Sequence, residues 1–569
     1  SKRAPVIPQL EAEQKPELTR EQAQAIETIR LNEGFATHLL LGVTGSGKTE
    51  VYLRLLENVL ARGKTGLVLV PEISLTPQLI QRFARRFGDK IAALHSQLTD
   101  RERTNQWWEV VSGQKQILIG ARSALFCPIP NLDLIVVDEE HEPSFKQEEK
   151  LKYHGRDAAV MMGKLLNIPV VLGSATPSLE TWNNVLEKRY KLHELKNRVG
   201  DRALPEVKVV DLRKSEDDEQ EKDRKKYYTH LPFWLSPELY EEINYTLANK
   251  EQVALFLNRR GLAQMVLCPA CGHTVQCPNC DINLTLHAGA HLVCHYCDYH
   301  ENFKTKCSDC REGELEAIGL GTELIEKDLA RLYPEASIAR ADRDEISNRA
   351  ELEELVSKME DGSTDILVGT QMIAKGLDFP KLKVVGLILA DVGFNLPDFR
   401  ATERSFQLIT QMSGRAGRHV KEGERAGQVF IQTYNTEHES VTFSVKHDFF
   451  GFAEHELEVR KALNYPPFGR LAGVRVQGAK LDQAERMSQL FAHRCRQLKE
   501  QFKIYNEIEV LGPAEAPLAK LRNQFRFHVL IKAPNAQLLN TFCRQALGTE
   551  DWIVAGVKIS VDVDPMNLL

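Results

Sequence analysis

The sequence predicts an α/β protein with two parallel-sheet lobes, a cysteine-rich module set into the second, and a smaller C-terminal α/β domain. Three observations carry this expectation. Apolar strand-like runs alternate with helical patterns in two separate stretches, the mark of a mainly parallel sheet covered by helices on both faces. Eight of the eleven cysteines fall between Cys268 and Cys310. The chain has 569 residues, whereas single cores rarely grow past roughly 250–300.

In the first stretch the strand candidates are residues 37–41, 67–70, 116–119, 134–137 and 170–172. In the second they are 253–257, 366–368, 384–389 and 429–433, and the cysteine module interrupts this stretch after Met265. Residues 214–226 (KSEDDEQEKDRKK) lack apolar periodicity and read as a solvated linker. The remainder opens with helical charge patterning and ends in short strands at 527–531 and 557–563. The domain reading is therefore 1–11 as a tail, 12–200 as lobe one and 201–264 with 314–435 as lobe two. Residues 265–313 form the cysteine module and 436–569 the C-terminal domain.

Composition sets limits. With 43% hydrophobic and 27% charged residues the chain reads as a globular protein. Its formal net charge of −6 gives no overall basic footprint, so any nucleic-acid contact rests on local Arg and Lys placement. No apolar run reaches the ~18 residues of a membrane span. The first ten residues have no apolar core for a signal peptide, which makes the cytosol the default. A start at Ser1 rather than Met points to a trimmed fragment.

The first chemical motif is Gly42-Val43-Thr44-Gly45-Ser46-Gly47-Lys48-Thr49, a P-loop between an apolar strand and a helical segment. Its glycines let successive N–H groups turn inward around phosphate at a helix N-terminus. Lys48 is placed for the β/γ-phosphates of ATP and Thr49 for Mg²⁺. Downstream, four apolar residues lead into Asp138-Glu139-Glu140-His141. Asp138, at a strand end, suits the same Mg²⁺, and Glu139 suits orientation or deprotonation of the attacking water.

The order of further motifs resembles a superfamily 2 helicase, close to the DEAD/DEAH type. Lobe one has Leu18-Thr19-x-x-Gln22, then Pro71-Glu72-Ile73-Ser74-Leu75-Thr76 and Gly120-Ala121-Arg122-Ser123. After the acidic box comes Gly173-Ser174-Ala175-Thr176-Pro177-Ser178. Lobe two supplies Val368-Gly369-Thr370-Gln371-Met372-Ile373-Ala374-Lys375-Gly376-Leu377-Asp378 and Gln411-Met412-Ser413-Gly414-Arg415-Ala416-Gly417-Arg418. The resemblance implies two RecA-like lobes. It also implies adenine contact by Gln22, nucleotide contact by Gln411, and Arg415 and Arg418 reaching the γ-phosphate across the cleft.

The cysteines form four C-x-x-C pairs: Cys268/Cys271, Cys277/Cys280, Cys294/Cys297 and Cys307/Cys310. Eight thiolates make two closed tetrahedral Cys₄ sites, hence two structural Zn²⁺ ions per chain. His273, His287, His291 and His295 are then surplus. Spacing alone permits sequential or nested pairing.

Helicase motifs combined with an eight-cysteine insertion in lobe two resemble the PriA family of bacterial primosomal helicases. Further runs agree: Phe145-Lys146-Gln147, Tyr153-His154-Gly155-Arg156-Asp157, Tyr465-Pro466-Pro467-Phe468 and Val563-Asp564-Pro565. The resemblance implies ATP-dependent 3′→5′ unwinding at stalled or forked DNA to restart replication, and nested zinc pairing. It implies single-stranded and forked DNA, single-strand DNA-binding protein and the primosome proteins PriB and DnaT as partners, in a bacterial, nucleoid-associated setting. The family's N-terminal DNA-binding part has no counterpart in this sequence, so the expectation is the helicase core of a longer protein. Runner-up readings are another translocase of the superfamily, or a zinc-dependent binding module with a decayed ATPase.

Residues 142–157 (EPSFKQEEKLKYHGRD) place Phe145 and Tyr153 among Lys146, Lys150, Lys152, His154 and Arg156. Interleaved rings and cations suit a single strand, whose bases stack while its phosphates are neutralised. Phe145, Lys146, Tyr153 and Arg156 are accordingly candidates for a DNA-sensing loop. The alternative is a loop that packs its aromatics against lobe one.

Overall fold

The structure, a computed structural model, describes residues 15–95, 98–200, 205–213, 227–257, 265–280, 282–287, 291–318, 320–341, 349–370, 379–416, 425–549 and 551–568. The linker 214–226, residues 371–378 and Arg418 lie outside them.

Lobe one is a seven-stranded, wholly parallel sheet. Its spatial order is Ile91–Leu94, Ile117–Gly120, Thr65–Leu69, Leu132–Asp138, Val170–Ser174, Thr37–Gly42, Lys191–Leu195. The central strands bury both faces, so they read as unbroken apolar runs rather than alternating ones. Helices such as Lys48–Ala61 and Gly155–Leu166 cover the two faces, and two apolar clusters fill the layers between.

Lobe two repeats the plan with six parallel strands in the order Ile338–Ala341, Ile366–Gly369, Gln252–Leu257, Leu382–Ile388, Gln428–Thr433, Glu206–Asp211. The cysteine module leaves this lobe through an antiparallel stem, Met265–Leu267 on Glu316–Ile318. Its own core is the small sheet Thr285–His287, His291–Val293, His300–Asn302.

The C-terminal domain is a four-stranded antiparallel sheet ordered Glu509–Leu521, Gln524–Ala533, Arg470–Gly478, Val557–Val563. Helices Leu481–Gln501 and Ala536–Leu547 cover one face. The expected boundary at 436 needs revision. Helices Glu439–Val445 and Phe449–Ala462 belong with the lobes, because Val441 packs in the lobe-two core while Phe449, Phe452 and Leu457 pack in that of lobe one.

Candidate active site and zinc module

The P-loop joins strand Thr37–Gly42 to helix Lys48–Ala61. Gly45 and Gly47 adopt left-handed backbone angles, φ 87° and 81°, that an L side chain resists. No side chain caps the helix, which leaves its first N–H groups to face an anion. Ser46 Oγ is buried without a hydrogen-bond partner, and Lys48 Nζ donates to the Gly42 carbonyl at 2.8 Å. Gln22 braces the loop from behind. Its Nε2 donates to the Ser46 carbonyl at 2.8 Å, and its Oε1 closes a capping box with Thr19.

Strand Leu132–Asp138 carries the acidic box to the same end of the sheet. The Tyr52 hydroxyl, one helical turn beyond Lys48, donates to Asp138 Oδ1 at 2.9 Å. Gly173 permits this approach, since a Cβ there would overlap the Tyr52 hydroxyl. Burial lifts the Asp138 carboxyl to about 6; the neighbouring Glu139 charge adds to the rise, and Lys48 and the Tyr52 hydrogen bond oppose it. Glu139 turns the chain with φ 48°.

Glu140, 0% exposed, accepts from Arg156 Nη1 at 2.9 Å, Ser178 N at 2.8 Å, Ser178 Oγ at 3.1 Å and Thr181 Oγ1 at 2.8 Å. His141 faces both lobes. Its Nε2 accepts from Gln411 Nε2 of lobe two at 2.6 Å. The ring proton then sits on Nδ1, which donates to Ser174 Oγ at 2.7 Å.

More contacts cross the cleft. Glu403 Oε1 accepts from Leu179 N at 2.9 Å, and its other oxygen takes Arg460 Nη2 at 2.7 Å. Arg400 pairs with Glu180. Gly414 lies directly against Thr44 of the P-loop, where a Cβ would approach the threonine to 2.7 Å. Arg415 follows at the half-buried end of helix Ala401–Ser413, so it emerges beside the P-loop.

In the segment after the acidic box, three of the four candidate DNA-sensing side chains are packed inside the protein. Phe145, 1% exposed, sits in the lobe-one core, and Arg156 is buried against Glu140. Lys146, 5% exposed, reaches the C-terminal domain: Nζ donates to the carbonyls of Val563 at 2.7 Å and Asp564 at 3.0 Å and pairs with Asp562 at 2.9 Å. Only Tyr153 of the four keeps a half-open ring, edge-on to the exposed Phe126 at 5.1 Å. The segment is a packed link between the acidic box and the C-terminal domain.

Residue types did not reveal Tyr52, Thr181 or Glu403. Tyr52 was within reach, since position i+4 from Lys48 shares its helix face. The others depend on tertiary approach.

In the cysteine module, Cys268, Cys271, Cys307 and Cys310 converge, as do Cys277, Cys280, Cys294 and Cys297, with all ligand atoms of each group within 4.8 Å of one another. The pairing is nested. Sγ–Sγ separations are 3.8 Å for Cys268–Cys310, 3.7 Å for Cys271–Cys307 and 3.6 Å for Cys277–Cys297. Tetrahedral Zn²⁺ with Zn–S bonds of ~2.3 Å requires edges of about 3.8 Å, so both groups fit zinc. His273 and His295 face other partners, Ser308 and the Glu515 carbonyl.

A P-loop and acidic box on one parallel-sheet lobe, met across a cleft by a second such lobe, define an ATP-hydrolysing helicase core. Comparison with known proteins agrees: the DEAD/DEAH box helicase family matches residues 19–185 and the helicase conserved C-terminal domain residues 322–420. The PriA DNA helicase Cys-rich region matches residues 277–301, and the primosomal protein N C-terminal domain residues 461–566. The replication restart protein PriA of Bacillus subtilis is 40% identical over 97% of this chain and 67% of its own length. That of Synechocystis is 39% identical over 99% and 66%, and that of Haemophilus influenzae 39% identical over 99% and 74%. The chain belongs to the PriA family, and it spans about two thirds to three quarters of these relatives' length. Among solved structures, RecG bound to a three-way DNA junction is similar at 17% identity and a TM-score of 0.47, covering 79% of this chain and 47% of that one. No helix among the described residues is long and apolar enough to cross a membrane.

Proposed function

We propose that the chain is the motor core of a 3′→5′ DNA helicase that hydrolyses ATP to unwind stalled or forked DNA and so restart replication. The observation that supports it best is the convergence of both lobes on one P-loop: Gly414 packs on Thr44 while Gln411 holds His141 at 2.6 Å. Hydrolysis at such a cleft depends on closure, which lets the state of the nucleic acid gate turnover.

In this reading the backbone from Gly42 to Thr49 cradles the phosphates and Lys48 neutralises them. Thr49 and Asp138 are the residues that would hold Mg²⁺, which screens phosphate charge when bound. Glu139 orients the attacking water. Arg415 and Arg418 arrive from lobe two to stabilise charge that develops during transfer, a contribution of ~10³-fold or more for such arginines. Gln22 and Gln411 fix the loop and the acidic box at the nucleotide. Two zinc sites stiffen the cysteine module as a wedge or docking surface. Forked and single-stranded DNA, single-strand DNA-binding protein, PriB and DnaT are the proposed partners, in the bacterial cytoplasm at the nucleoid.

The test is ATP turnover with no nucleic acid, single-stranded DNA, duplex DNA or RNA, together with unwinding of duplexes carrying a 3′ or a 5′ tail. Stimulation by single-stranded DNA and unwinding in the 3′→5′ sense are expected. Lys48→Ala and Glu139→Gln should each abolish turnover while DNA binding survives. Normal turnover in folded Lys48→Ala, or stimulation by RNA alone, overturns the reading.

A further inference from the structure

Glu50 follows Lys48 and Thr49 on the P-loop helix, and its carboxylate is buried, with 5% exposure. Its own N–H donates to the Gly47 carbonyl at 2.9 Å and closes the first helical turn. Any shift of Glu50 is therefore a shift of the two residues that the reading above puts at the nucleotide. A buried carboxylate needs partners, and this one has two. Arg54 Nε donates to its Oε1 at 2.8 Å from one turn along the same helix. The second partner is Arg86 of helix Pro77–Phe87, whose Nη2 donates to the same oxygen.

Arg86 is itself buried, its side chain 3% exposed. Its Nε pairs at 2.8 Å with Glu57, two turns beyond Glu50 on the same face of the P-loop helix. One guanidinium thus spans two acidic positions, a reach that its planar fork provides and an ammonium does not. Phe83, Ala84 and Phe87 bury the inner face of helix Pro77–Phe87 in the apolar cluster that also holds Val51 and Leu55. At the other end of this helix, Gln78 Nε2 donates to Glu360 of lobe two, on helix Arg349–Asp361. Gln78 and Arg86 stand about 12 Å apart along the helix axis. Helix Pro77–Phe87 is then a strut between lobe two and the P-loop helix, separate from the contacts inside the cleft.

We propose that Arg86 is a positioning residue for ATP hydrolysis, passing the contact of lobe two at Gln78 through Glu50 to Lys48 and Thr49. The assignment rests on the ATP-hydrolysing reading above and adds a second route by which closure of the lobes sets the P-loop. A helix packed along one face moves as a unit, because close-packed interiors transmit displacement rather than absorb it. A misplacement of ~1 Å at a reacting group is enough to slow a reaction by ~100-fold.

The experiment measures kcat and KM for ATP with saturating single-stranded DNA in the parent, Arg86→Lys, Gln78→Ala, the double variant and Arg85→Met. Rates are referred to folded chain, counted by binding of a fluorescent ADP analogue. Arg86→Lys keeps the charge but cannot reach both carboxylates, so kcat should fall about tenfold. Gln78→Ala loses a contact made only with the lobes together, so kcat should fall about threefold at unchanged KM. The double variant should be no slower than Arg86→Lys, because the strut is already slack; independent effects would multiply to about thirtyfold. Arg85, exposed on the same helix, is the control, and Arg85→Met should match the parent. A thirtyfold loss in the double variant, or parent rates in Gln78→Ala, overturns the assignment and leaves the motor reading standing. So does an Arg86→Lys that is merely less stable, with kcat per folded chain unchanged. Absence of ATP turnover in the parent defeats the motor reading itself, and the strut with it.

Discussion

Glu140→Gln removes one buried charge and leaves the shape of the side chain. Glutamine keeps an oxygen for the Ser178 N–H, which Glu140 accepts at 2.8 Å. It also turns an NH₂ group toward Arg156 Nη1, which lies 2.9 Å from the native carboxylate. The hydroxyls of Ser178 and Thr181 can rotate to accept, but a guanidinium has no lone pair and cannot. The loss is therefore one charge-assisted hydrogen bond, ~1.5–3 kcal/mol, within an interior pair whose rupture costs 3–5 kcal/mol. Asp157, bonded to Arg156 Nε at 2.7 Å, retains part of that. We expect about 3 kcal/mol, a factor of ~150 in the opening equilibrium. A chain of several domains has no single melting point, so the assay is hydrogen exchange across helix Leu179–Leu186, which begins at Ser178. Arg156→Gln should cost a similar amount. The double variant should cost about 2–3 kcal/mol less than the sum, since neither partner is then left alone. Turnover should fall in step, because the adjacent Leu179 N–H is the one that Glu403 holds across the cleft. Unchanged protection in both single variants, or full additivity in the double, would refute the reasoning.

Three further outcomes follow from other sites. His38 and His193 share a buried hydrogen bond of 2.9 Å, and burial lowers them to about 3 and about 4. The fold binds fewer protons there than the unfolded chain, so the pair's stability is complete above the unfolded pKa of ~6.5 and is lost as pH falls toward 4, at about 2 kcal/mol per ring by pH 5. In hydrogen exchange across strand Thr37–Gly42 from pH 7 to 5, corrected for intrinsic rates, His193→Gln should lose about 2 kcal/mol less protection than the parent, and equal losses would contradict the account. Freshly purified protein should contain two zinc ions; chelation or Cys268→Ser should unprotect the cysteine module in hydrogen exchange while the P-loop lobe stays folded, and a count of one or none rules this out. Gly414→Ala would set a Cβ 2.7 Å from Thr44, so turnover should drop by about tenfold or more, with recovery in Gly414→Ala/Thr44→Gly; an unaffected rate in Gly414→Ala removes the claimed closure contact.

Much of this was legible because the chemistry is contiguous. The P-loop, the acidic box and the four cysteine pairs each concentrate their ligands within a few residues. The central strands are equally plain, because a strand buried on both faces has to be apolar throughout. The edges are not. Lys191–Leu195, Glu206–Asp211 and Ile338–Ala341 are edge strands with exposed or half-exposed polar positions, so no apolar run marks them. The packing of segment 142–157 was hidden for a related reason. Lysine and phenylalanine have the same identity whether they meet DNA or a protein wall, and the wall here is Val563 and Asp564, far away in the chain. Pairing of the cysteines was open for the same reason: spacing is local, and nesting is a tertiary fact.

The four residues of the acidic box divide their work by direction. Asp138 ends a strand and faces Tyr52. Glu140 faces the turn Ser178–Thr181, and His141 faces Ser174 and the second lobe. An extended strand would send alternate residues to only two sides. The left-handed turn at Glu139, φ 48°, breaks that alternation and fans the side chains out. Such a conformation costs a non-glycine residue ~1–2 kcal/mol and persists only where its surroundings enforce it. The surroundings are the four bonds of Glu140 and the two of His141, which hold the chain immediately after the turn. Glu139 is thus oriented by the bonds of its neighbours, and its Oε2 lies 3.7 Å from His141 Nδ1. One of those neighbours, His141, is gripped by lobe two, so parting the lobes loosens the turn that positions Glu139. Under the proposed role of Glu139, closure of the lobes and alignment of its carboxylate are a single event.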